Sequence, residues 1–154
     1  MLELPHVAVG VVIATKIPDP IIALPLALMS HFAFDFLPHW NPSLYTEFKK
    51  FGKPRLSSNL VILADTTAAL ILGFWVAASS GSNPTRFLTI ILAAFLAVAP
   101  DVIEGFYFYL GAKSRLLEKL VKFQHDHQTN APILPGLLTQ AAVLIICLYL
   151  ILSK

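Results

Sequence analysis

The chain has 154 residues, of which 56% are hydrophobic and only 13% charged, with a formal net charge of +2. That is too apolar for a soluble domain of this size and indicates an integral membrane protein. A single cysteine, Cys147, excludes both an internal disulfide and a multi-cysteine metal site.

Long unbroken apolar runs lack the two-residue alternation of barrel strands, so the expected fold is all-α: one transmembrane bundle over residues 1–154. Five spans and one interfacial helix are predicted. Glu3 precedes the first apolar run, no basic residue does, and no small-residue cleavage site follows, which argues against a removable signal peptide.

The first segment, about 5–17, covers only about 20 Å against a hydrocarbon core of about 30 Å, so it either spans with its flanks or re-enters. Pro5 suits a first helical turn, Gly10 permits close helix contact, and Lys16 is placed to snorkel. A Pro18-Asp19-Pro20 turn leads to the second segment, about 21–37, which Pro25 should kink and Pro38 should end. It carries His31 and Asp35, which at i and i+4 share one helix face, and His39 follows just outside. Residues 38–59 interleave Trp40, Tyr45, Phe48 and Phe51 with Lys49, Lys50, Lys53 and Arg55, the pattern of an interfacial loop on an anionic surface.

The third segment, about 57–78, holds Asp65-Thr66-Thr67 some eight residues in. A Ser/Gly/Asn/Pro turn follows. The fourth, about 87–110, is expected to break at Pro100, where Asp101 and Glu104 stand at i and i+3. Residues 112–124 set Leu116, Leu117, Leu120 and Val121 against Arg115, Glu118, Lys119 and Lys122, so this helix should lie along the membrane surface, with Lys113 snorkelling from its apolar side. His125-Asp126-His127 comes next. The fifth segment, about 133–152, is charge-free and reads as a plain anchor.

With five spans, the two long loops share a side with the N-terminus and hold eight of the 11 lysines and arginines. The positive-inside rule puts that side in the cytoplasm and the C-terminus outside. His6, His31, Asp35, His39, Asp65, Asp101, Glu104, His125 and His127 then converge just below the cytoplasmic surface. Each aspartate near a helix centre costs roughly 2.5–3.5 kcal/mol on insertion scales, and the apolar segments supply almost no cations. A bound metal is the simplest compensation, and protonation the less demanding one.

Taken alone, His31 with Asp35 reads as a helix-packing pair; joined to the other groups at one depth, it reads as a metal ligand set. Asp101 after Pro100 also suits a helix cap, and Trp40 an interfacial anchor. Imidazole and carboxylate donors without thiolate suit Zn, Mn or Fe. The candidate metal ligands are His6, His31, Asp35, His39, Asp65, Asp101, His125 and His127; they outnumber one tetrahedral site, so either two metals bind or some groups are supporting. Glu104 is the candidate general base, and Lys49, Lys50, Lys53, Arg115 and Lys119 are candidates to attract an anionic headgroup.

The H-x-x-x-G of His6 to Gly10, the H-x-x-x-D of His31 to Asp35 and the Pro100-Asp101-x-x-Glu104 element resemble small prokaryotic inner-membrane metal-dependent hydrolases. That family includes LexA-binding members and is distantly similar to zinc-dependent phospholipase C. The resemblance implies a multi-pass inner-membrane protein, zinc as the first metal to expect, and His6, His31, Asp35 and Asp101 as ligands. The expected function is hydrolysis of a lipid or lipid-linked phosphoester at the cytoplasmic leaflet, with membrane lipid as partner. The alternatives are an ion or proton path through the carboxylates, and a structural or partner-binding module. A nucleic-acid role is not expected, because the basic residues flank membrane segments. A second copy remains open as a source of further ligands.

Overall fold

A computed structural model describes residues 1–112 and 114–153. Lys113, expected to snorkel, and Lys154 lie outside the described residues. Seven helices form among the described residues: α1 Glu3–Lys16, α2 Pro20–Asp35, α3 Leu44–Phe51, α4 Leu56–Ala78, α5 Pro84–Tyr109, α6 Arg115–His127 and α7 Ile133–Leu152. No sheet accompanies them; one parallel bridge joins His39 to Asn130. Helices α4, α5 and α7 are long and apolar enough to cross a membrane. Their outward positions carry exposed Leu70, Phe74, Phe95 and Ile145, as lipid-facing surfaces do.

The short first segment is the centre of the bundle. Helix α1 packs against α2, α4, α5 and α7 and is buried from Pro5 to Val11. A helix apolar on every side belongs inside. Its closest neighbour is α5, because Gly10 leaves room: a Cβ there would stand 2.7 Å from both the Ala93 carbonyl oxygen and the Ala97 Cβ.

The two ends of the bundle differ in chemistry. At one end Lys16 Nζ donates to the Ser153 carbonyl at 2.8 Å and Arg86 to the Thr15 carbonyl at 3.2 Å. The other end gathers the starts of α1, α4 and α7, the ends of α2 and α5, and both amphipathic helices. Helix α3 replaces the loop expected over 38–59. Its Phe48 packs on Tyr107 and Phe108 at 5.3 and 5.6 Å, and Glu47 accepts from Arg55 N, fixing the start of α4. Helix α6 begins at Arg115, capped by Ser114, and runs on through His125 and His127, which were expected beyond it.

The break expected at Pro100 is absent. Helices α2 and α5 continue through Pro25 and Pro100. Within a bundle, neighbouring groups satisfy the backbone that a proline frees, so the helix need not end. Asp101 therefore sits mid-helix and caps nothing.

Candidate metal centre

His31 is fully buried one turn before the end of α2, and its Nδ1 donates to the Ala97 carbonyl of α5 at 2.9 Å. Pro100 frees the neighbouring Leu96 carbonyl, four residues back, so the Ala97 carbonyl takes the His31 bond in addition to its place in the helix. With Nδ1 donating, the His31 Nε2 lone pair is free, and it has no hydrogen-bond partner among the described residues. It lies 3.5 Å from Asp35 Oδ2 and 3.6 Å from Asp101 Oδ1.

His6, in the first turns of α1, is fully buried and stacks on His31 with centroids 4.3 Å apart. Its Nε2 stands 3.2 Å from Asp35 Oδ1. The Met1 amine contacts the same carboxylate and lies 3.2 Å from His6 Nε2.

His39 arrives from the turn after α2, which is locked to the turn after α6. His39 N donates to Thr129 O at 3.1 Å, Thr129 N to Asp35 O at 2.9 Å, and Ala131 N to His39 O at 2.8 Å. The His39 Nδ1 donates to the Leu37 carbonyl at 2.8 Å, which leaves Nε2 unpartnered 3.8 Å from Asp35 Oδ1. Burial pushes this imidazole below the ordinary histidine range, holding it in the neutral, ligand-competent form. Gly136 of α7 admits the turn, since a Cβ there would meet Trp40 N at 2.4 Å.

His6, His31 and Asp101 each offer a donor atom within 4.8 Å of the others, and this buried group could hold a metal ion. A metal with bonds of about 2.0–2.2 Å sets its ligands about 3–4 Å apart. The 3.2–3.8 Å separations among the His6, His31, His39, Asp35 and Asp101 atoms named above fall in that range. Hydrogen-bonded Nδ1 atoms on His31 and His39 are the outer support such ligands need.

Other predicted residues go elsewhere. Asp65 accepts from Glu3 N at 2.5 Å and Leu4 N at 3.3 Å, so it caps α1 from α4. His125 stacks on Tyr45 at 4.3 Å, while His127 stacks on Phe123 at 4.1 Å and donates from Nδ1 to the Phe123 carbonyl. Helical geometry points this i, i+2 pair to different faces. Lys49 lies over the Tyr45 ring, 4.4 Å from its centroid.

Two glutamines escaped the sequence reading. Gln124 holds Asp101 Oδ1 at 3.2 Å, and its position one turn past Val121 on the apolar face of α6 was the available signal. Gln140 accepts from Leu2 N at 2.8 Å and donates to the Trp40 carbonyl at 2.7 Å, so α7 is more than a plain anchor.

A cleft of about 650 Å³ opens beside this centre. Glu3, Asp35, Asp65, Asp101 and Glu104 line its polar end, and Val7, Ala69, Gly73, Ala94 and Val98 its apolar end. No lysine or arginine among the described residues lines it, so Lys49, Lys50, Lys53, Arg115 and Lys119 are outside its wall. Comparison with protein-family models, curated proteins and solved structures finds no match to this chain.

Proposed function

We propose that this chain is a membrane-embedded metal-dependent hydrolase of a lipid or lipid-linked phosphoester, the activity of the inner-membrane hydrolases its three short motifs resemble. The observation that carries the reading is a set of imidazole and carboxylate donors at metal-ligand spacing, the His31 Nε2 among them unpartnered, beside a cleft whose other end is apolar. His6, His31 and Asp101 hold the ion, with Asp35 and His39 completing its surroundings. Zinc, manganese and iron all suit these donors. A divalent ion held by these residues would supply Lewis acidity, bringing the pKa of water there towards about 7.

Glu104 lines the same cleft with Oε1 buried and unpartnered, and it serves as general base. The water oxygen adds to phosphorus, the bond from phosphorus to the lipid oxygen breaks, and the proton taken from water ends on that leaving oxygen. In this reading α1, α2, α4, α5 and α7 form the membrane bundle. The polar end faces the cytoplasmic leaflet, where eight of the 11 basic residues reside, and the C-terminus is outside.

Purified protein in mixed lipid–detergent micelles tests this. Release of phosphate or phosphoalcohol should depend on added divalent metal and fall at least about 100-fold in each of His31→Ala, Asp35→Ala and Asp101→Ala. Undiminished metal-stimulated activity in all three variants sinks the proposal.

A further inference from the structure

The cleft has two features that bear on what it takes in. From Glu104, at its polar end, the lining follows α5 as far as Ile91, 13 residues or about 20 Å of helix. That is longer than the roughly 15 Å of one leaflet's hydrocarbon. Leu70 and Phe74 of α4 and Phe95 and Val102 of α5 line it and are also exposed, at 57%, 55%, 53% and 41%. They are the rims of a lateral opening towards the lipid. A volume of about 650 Å³ is in the range of small-molecule sites, which run to about 300–1,000 Å³.

At the polar end the imbalance is one of donors. Three oxygens of cleft-lining residues are buried with no hydrogen-bond partner among the described residues: Glu3 Oε2, Glu104 Oε1 and Gln124 Oε1. Gln124 is only 6% exposed, and its orientation is set, since its Nε2 donates to Asp101. Buried acceptors without donors are costly, and a wall of five carboxylate side chains, against which the Met1 amine, paired with Asp35, is the one cation among the described lining residues, repels a purely anionic headgroup. A primary ammonium offers three N–H donors and a positive charge.

We infer that the occupant is an amine-bearing zwitterionic phospholipid. Its ammonium takes Glu3 and Gln124 as acceptors, its phosphate faces the metal centre and the Glu104 base, and one acyl chain lies between α4 and α5. This names the substrate class of the hydrolase reading and rests on it for the phosphate's position; the ammonium and acyl subsites stand on the cleft itself.

Gly105 gives a clean block. It lines the cleft, and a Cβ added there meets nothing within 4 Å, so Gly105→Leu fills the groove without a backbone clash and favours helix. Delipidated, chelator-stripped full-length protein in detergent is offered equimolar phosphatidylethanolamine and phosphatidylglycerol with identical acyl chains, and retained lipid is read by native mass spectrometry. The expected result is a one-to-one adduct enriched about tenfold or more in phosphatidylethanolamine. Glu3→Gln should lose that enrichment and keep an adduct. Gly105→Leu should lose the adduct at an unchanged melting temperature.

Equal retention of the two lipids, enrichment of phosphatidylglycerol, or full retention in Gly105→Leu overturns the inference. The measurement needs neither metal nor turnover. Protein that selects phosphatidylethanolamine but hydrolyses nothing defeats the hydrolase reading alone, and protein that hydrolyses lipid without selecting it defeats this one alone.

Discussion

Replacing Asp65 separates a capping role from a ligand role. Its two oxygens accept the Glu3 and Leu4 N–H groups at 2.5 and 3.3 Å, donors that no residue of α1 itself can satisfy. Losing a side-chain cap costs about 1 kcal/mol, and losing a carboxylate at a helix N-terminus adds up to about 1 kcal/mol more. Asp65→Ala should therefore destabilise the protein by about 2 kcal/mol, and Asp65→Asn, which keeps one acceptor, by about half that. For a chain of this length the melting temperature should fall by about 4–8 °C and about 2–4 °C, respectively. Tryptophan fluorescence in detergent follows the melt, and elemental mass spectrometry of the same samples gives metal stoichiometry. Metal content should not change. Loss of metal at an unaltered melting temperature would make Asp65 a ligand and refute the capping argument.

Three further substitutions probe how the centre is held. In Gly10→Ala the new methyl falls 2.7 Å from the Ala93 carbonyl oxygen and the Ala97 Cβ; forcing α1 from α5 should cost about 1–3 kcal/mol in a thermal melt. It should also weaken metal binding about tenfold in a competitive chelator titration, because the Ala97 carbonyl that orients His31 moves. Gln124→Leu removes the hydrogen bond to Asp101 together with an unpartnered buried oxygen. Metal affinity should fall about 10–100-fold while the melting temperature holds or rises, a split no simple packing defect produces. Gly136→Ala drives a methyl into the Trp40 backbone, and should lower the melting temperature while altering protease susceptibility of the turn that carries His39.

Local spacing in the sequence carries much of this centre. His31 and Asp35 are one turn apart on any helix, and the strand of reasoning from charge cost to a shared depth brings His6 and Asp101 to the same end. Partners made by tertiary packing were not legible: Leu2 meets Gln140, and Asp65 meets Glu3, across 138 and 62 residues. Pro100 misled for a physical reason, since proline's usual helix-breaking effect was applied to a helix that packing against α1 and α2 holds together. Helix α3 was hidden by its aromatic and basic composition, read as interfacial loop although Leu44, Phe48 and Phe51 recur at helical spacing. His125 and His127 matched a ligand motif by residue type, but α6 extends through them and points them apart. Lys49, Lys50, Lys53, Arg115 and Lys119 were expected to attract an anionic headgroup from the interfacial segments; the cleft wall is acidic and none of them lines it.

The most direct test is elemental mass spectrometry of untagged, detergent-purified protein, wild type beside the His31→Ala/Asp101→Ala double variant. The account predicts at least one equivalent of a divalent transition metal in the wild type, lost in the variant while the helical circular dichroism spectrum is retained. Folded wild-type protein that stays metal-free after incubation with zinc, manganese and iron(II) would contradict it.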